Sequence, residues 1–185
     1  METVLIMPGI NNSGPAHWQT LWEAANPSFR RIAVADWDHP VCASWVDAIE
    51  RAVASAGPSV VIVAHSLGCL PVIEWMLHGQ ADKVSGALLV SVPDPHGPNF
   101  PLEATGFAPL PLRILPFTSI VVSSRDDPFG TPEYARRCAN GWGSTFIDIG
   151  AAGHINAGSN LGTWDDGFAL LRSLQGRQPH TVGRQ

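Results

Sequence analysis

The chain has 185 residues, of which 45% are hydrophobic and only 15% charged. That balance excludes a disordered or fibrous polypeptide and suits one hydrophobic core of ordinary domain size. A formal net charge of −5 with no run of Lys or Arg excludes the electrostatic footprint of a nucleic-acid or anionic-lipid binder.

The first predicted strand covers 4–7 and runs into the loop Pro8-Gly9-Ile10-Asn11-Asn12-Ser13-Gly14. The stretch Met1–Gly9 has too short an apolar run, and no positive charge before it, to be expected to serve as a secretion signal. A helix over 15–25 and a strand over 31–35 follow. The helix over 43–56 has the clearest period: Trp45, Ile49 and Val53 recur every fourth residue, while Ser44, Asp47, Glu50 and Arg51 occupy other faces. Next come a β-branched strand over 60–63 and an apolar helix over 67–78, then a strand over 87–92. The interval 93–117 holds seven prolines and no helical period, which predicts an ordered surface excursion rather than a lid of paired helices. A strand over 119–123, a helix over 132–139, a strand over 145–149 and a helix over 164–174 complete the pattern. One domain is expected over 1–175, with a polar, frayed tail over 176–185.

Strands that alternate with helices, without two-residue hairpin turns, imply right-handed βαβ crossovers. The expected fold class is three-layer α/β, a parallel sheet of six strands flanked by about five helices, with no cap domain. No stretch reaches the roughly 20 apolar residues of a membrane-spanning helix. Cys42, Cys69 and Cys138, odd in number and without a C-x-x-C pair, read as free thiols of a reducing compartment. A cytoplasmic location, without membrane or nucleic-acid partners, is the expectation.

In such a sheet the reactive groups gather at the carboxyl ends of the strands. After the third strand stands Ala64-His65-Ser66-Leu67-Gly68, which fits the nucleophile elbow G-x-S-x-G with Ala in the first small position. Small residues two before and two after the serine let strand and helix backbones meet in a sharp turn. A serine hydroxyl needs a base, and the base an orienting acid. Asp126 and Asp127 end the fifth strand, and His154 lies in a glycine-flanked loop after the sixth. Asp127, which opens the loop toward the histidine, is favoured over Asp126 as the acid. Ser66, Asp127 and His154 are thus the candidate catalytic residues. The Leu67 and Ile10 amides are the candidate oxyanion-hole donors. The glycine loop around Ile10 matches neither G-x-G-x-x-G nor a Walker A sequence. His17 and Trp18 are the candidate substrate-binding wall; Trp37 and Trp164 could also border the serine, whereas Trp45 and Trp75 read as helix-face core.

The stretches "LIMPGINNSGPAHWQTLWE", "DWDHP" followed by "SWVDAI", "AHSLGC", "SSRDDPF" and "GHINAGSNLGTW" resemble the small serine hydrolases of the retinoblastoma-binding-protein-9 and YdeN type. The resemblance covers roughly 3–174. It implies a lidless α/β-hydrolase fold with sheet order 2-1-3-4-5-6, all parallel, and 31–35 as the edge strand. It also implies a Ser-Asp-His triad on Ser66, Asp127 and His154 that cleaves small esters, amides or thioesters without metal or cofactor. The alternative is a non-catalytic interaction module that keeps the fold. The pocket-protein motif L-x-C-x-E is met only as Leu67-Gly68-Cys69-Leu70-Pro71, without its glutamate.

Overall fold

A computed structural model describes residues 2–77 and 81–175. The predicted tail over 176–185, and the end of the helix predicted to reach His78, lie outside the described residues. Six strands form one all-parallel sheet: β1 (Thr3–Met7), β2 (Phe29–Arg31), β3 (Val60–His65), β4 (Val84–Val90), β5 (Thr118–Ser123) and β6 (Thr145–Asp148). Their order is β2-β1-β3-β4-β5-β6, as the resemblance implied. Among the described residues five α-helices flank the sheet: α1 (Trp18–Ala25), α2 (Cys42–Ser55), α3 (Cys69–Met76) and α4 (Pro132–Trp142) between strands, and α5 (Asp165–Leu174) after the last one.

β1, β3 and β4 are buried along their whole length, which is why they read as unbroken apolar runs. Successive side chains point to opposite faces, and the core divides accordingly. Leu5, Met7, Ile62, Ala64 and Leu89 meet α2, α3 and α4, whereas Val4, Ile6, Val63, Leu88 and Val90 meet α1 and α5. Trp18, Trp45, Trp75 and Trp142 are each no more than 1% exposed, and burying side chains of this size drives the helices onto the sheet.

The second strand corrects the expected bounds. Phe29, Arg30 and Arg31 pair with Val4, Leu5 and Ile6. The Ile32 amide makes one more bond to the Ile6 carbonyl, and the chain then leaves the sheet. The apolar run 31–35 suggested a strand, yet the pairing residues include two arginines. An edge strand tolerates such charge, and Arg31 reaches Glu23 at 2.8 Å as well as Asn12, Ser13 and Thr20. The interval between β4 and β5 contains no helix. It is anchored by buried Phe107, Leu115 and Phe117 and by a bridge from Thr105 to Val41.

Candidate active site

The turn after β3 holds Ser66 at φ +54°, a left-handed conformation that a non-glycine residue adopts only when its surroundings impose it. The surroundings do. Ser66–Gly68 form a single 3₁₀ turn that leads straight into α3, and a Cβ on Gly68 would stand 2.3 Å from the Pro8 carbonyl oxygen and 2.6 Å from that of Met7. Only glycine lets the elbow pass so close to β1. Gly9 plays the matching part on the other side, since a Cβ there would lie 2.9 Å from the Ser66 Cβ. The serine is only 8% exposed.

His154 follows β6 in a loop where Gly153 and Ile155 also have positive φ. Its Nε2 lies 2.7 Å from the Ser66 Oγ. Its Nδ1 lies 2.8 and 2.9 Å from the two carboxylate oxygens of Asp127. Asp127 is nearly sealed from solvent, with a side chain 2% exposed, and its Oδ1 also accepts the Phe129 amide. Because a carboxylate only accepts, Nδ1 carries the proton and Nε2 is left to accept from the serine hydroxyl. Residues 27 and 88 positions apart in sequence are thus joined in one hydrogen-bonded chain.

Asp126 does different work. Its Oδ1 accepts from the Ser124 hydroxyl and from the Gly153 amide, and Ser124 Oγ accepts in turn from the Ala152 amide. These bonds hold the Asp126 carboxyl below its ordinary pKa, the Ser124 hydroxyl contributing most. The strand-end aspartates therefore divide into one that touches the imidazole and one that shapes the loop carrying it.

A cavity of about 210 Å³ opens beside Ser66, lined by Ile10, Leu67, His17, Pro93, Pro101, Phe129 and Asn156 among others. Its lining contains no Asp, Glu, Lys or Arg. His17 reaches this wall but Trp18 does not. Trp18 is 1% exposed, packs against Trp22 and Trp164, and donates its indole N–H to the Ile155 carbonyl at 2.8 Å. Its place is under the histidine loop, where an amphipathic ring can bury its body and satisfy its N–H. Trp37 and Trp164 are likewise absent from the lining. Trp37 packs edge-on against Trp45.

His17 caps α1, its Nδ1 accepting the Gln19 amide at 3.1 Å. The proton of the neutral ring therefore sits on Nε2, which is buried without a hydrogen-bond partner among the described residues. Burial, with the Arg31 charge adding to it, pulls the His17 pKa down to about 4. His65, the residue before the serine, is pushed well below the usual histidine range, chiefly by burial. Sequence reasoning passed over His65, Phe129 and Asn156. The variable positions of the elbow carry no pattern, and the other two lie in loops whose course depends on tertiary packing. Among the described residues no three His, Cys, Asp or Glu side chains gather as a metal-binding group.

A family model described as "Serine hydrolase" matches residues 4–173. The fold is similar to a YdeN-like hydrolase of Pectobacterium atrosepticum, at 28% identity and a TM-score of 0.82, covering 94% of this chain and 90% of that one. It is also similar to the ydeN gene product of B. subtilis (18% identity, TM-score 0.79, 94% and 98% covered). A thermophilic esterase from Thermogutta terrifontis shares the fold more distantly (16% identity, TM-score 0.67, 98% and 91% covered). No curated protein matches the chain. Its fold is thus the α/β-hydrolase fold that these YdeN-type structures share, and with the family match running from β1 to the last turn of α5, the chain belongs to the serine hydrolase family.

Proposed function

We propose that this protein hydrolyses small carboxylic esters through an acyl-enzyme on Ser66, with His154 as general base and acid and Asp127 as its orienting partner. The observation that carries the reading is the unbroken chain from Ser66 Oγ through His154 to Asp127, with both links at 2.7 to 2.8 Å. The hydroxyl attacks the carbonyl carbon as its proton passes to His154 Nε2. Asp127 stabilises the imidazolium without taking the proton. The tetrahedral oxyanion accepts from the Leu67 and Ile10 amides. Support for Ile10 comes from its neighbours: the Asn11 amide is spent on the Trp37 carbonyl, while the Ile10 amide has no acceptor among the described residues. Collapse of the intermediate expels the alcohol, which leaves with the proton from Nε2. Water then attacks the acyl-serine, giving its proton to His154, and the acid departs as Ser66 regains its hydrogen.

The cavity of about 210 Å³ lies below the roughly 300–1,000 Å³ typical of drug-sized ligands. That volume supports short acyl groups. The uncharged lining supports neutral substrates, a property that esters, amides and thioesters share, and His17 is assigned to its wall. The three cysteines are free and buried, and burial raises the pKa of each thiol, that of Cys42 to about 12. They are kept from oxidation by burial as well as by the cytoplasm in which we place the protein.

Steady-state hydrolysis of p-nitrophenyl acetate tests the assignment. Ser66→Ala is expected to keep its thermal melt and to lose at least about 10³-fold in kcat/KM. A variant within about tenfold of the parent would move the nucleophile elsewhere.

A further inference from the structure

Three histidine rings stand in a row beside the nucleophile. His154 packs against His65 with centroids 5.0 Å apart, and His65 meets His17 edge-on at 4.7 Å. The middle ring makes a contact that the hydrolytic reading does not use. His65 Nε2 lies 2.9 Å from the backbone carbonyl oxygen of His154. A carbonyl can only accept, so the proton of His65 is on Nε2 and points at that oxygen.

We infer that His65 is a positioning residue for the general base: its Nε2–H holds the His154 backbone, and its ring supports the His154 imidazole, so that Nε2 of His154 stays on the line between Ser66 and Asp127. This rests on the reading of His154 as the base. Two features favour a dedicated role. First, the loop has little regular structure to hold it, since it follows the short edge strand β6 and has positive φ at both Gly153 and Ile155. Its carbonyls are instead gripped one by one: Ala152 by the Ser159 hydroxyl, His154 by His65, and Ile155 by the Trp18 indole. Of these three donors only His65 grips the residue that carries the base. Second, His65 is covalently next to Ser66. The nucleophile and the base are therefore fixed to one another through a single side chain, and any drift of the loop relative to the elbow must break that bond.

The functional cost of losing such a bond follows from how proton transfer depends on distance. A misplaced base weakens its hydrogen bond to the serine in the transition state more than it weakens substrate binding. The loss should therefore fall on kcat and leave KM nearly unchanged.

Glutamine and asparagine separate this role from simple packing. A glutamine at position 65 extends far enough to present an amide N–H near where Nε2 now lies, whereas the shorter asparagine presents one only as far out as Nδ1. Both are polar and neither leaves a large void. His65→Asn is expected to lower kcat on p-nitrophenyl acetate about tenfold, the size of one buried hydrogen bond, with KM changed by less than about twofold. His65→Gln should recover most of that loss. The low-field proton resonance of the His154 Nδ1–H shared with Asp127 gives a readout independent of turnover. It should persist in the parent and in His65→Gln and broaden in His65→Asn. The inference is overturned if His65→Asn keeps kcat and the resonance intact, or if glutamine does no better than asparagine. Failure of the hydrolytic reading looks different, because the parent itself would then turn over no ester while the resonance still reports on the anchor.

Discussion

Asp126 and Asp127 are adjacent carboxylates at one strand end, and the structure gives them separate tasks. Asp127 faces the imidazole with both oxygens, whereas Asp126 binds the Ser124 hydroxyl and the Gly153 amide. Asp127→Asn would present an amide where an acceptor is required, favour the wrong imidazole tautomer, and lower kcat by about 10⁴-fold. Asp126→Asn keeps an acceptor oxygen for the loop and should cost less than about tenfold. Kinetics of the two variants on one ester check the ranking, and equal losses would mean that both carboxylates serve the base. The order Ser66, Asp127, His154 was legible because each residue follows a recognisable strand. The assignment of Trp18 to the substrate wall was not, because an aromatic at a helix start can face either way. Its direction is set by the Ile155 carbonyl, 137 residues distant in sequence.

At the scale of elements, the five helices and six strands were readable wherever burial was two-sided or a helical period was complete. Errors lay in the bounds: even the fully buried β4, expected over 87–92, runs Val84–Val90. β2 is displaced toward its charged residues, and α1 begins at Trp18 rather than at residue 15 because His17 provides the cap. The proline-rich interval 93–117 met the expectation of a helix-free excursion. It contributes Pro93 and Pro101 to the cavity and leaves Leu102 94% exposed. A segment anchored by Phe107 and Phe117 at its far end, and stiffened by proline, borders the site without roofing it. In a chain-length series of p-nitrophenyl esters, kcat/KM should peak at short acyl groups and fall beyond about six carbons, the limit set by a cavity below the usual ligand range. No rate jump should occur at the solubility limit. A preference for long chains would reveal a tunnel that the 93–117 segment hides.

Across the whole molecule, the buried histidines tie stability to pH. His17 has a folded pKa of about 4 against an ordinary 6.5, and His65 is lowered in the same direction. In the unfolded chain both bind protons that the folded protein refuses. The contribution of His17 is therefore complete above about pH 6.5 and is lost as pH falls toward about 4, amounting to up to about 3 kcal/mol, and that of His65 is lost in the same direction. Urea unfolding at pH 7 and pH 4.5 should show this loss, and His17→Gln, which cannot titrate, should flatten the slope. Identical slopes in parent and variant would remove His17 from the account.

Whether Ser66 is a nucleophile activated by His154 can be tested by covalent labelling without knowledge of the natural substrate. A fluorophosphonate probe followed by intact-mass measurement and peptide mapping should find a single adduct on Ser66. His154→Ala should slow the labelling by about 10³-fold or more, and Ser66→Ala should abolish it. A folded parent that takes up no probe, or one whose adduct survives Ser66→Ala, would contradict the claim.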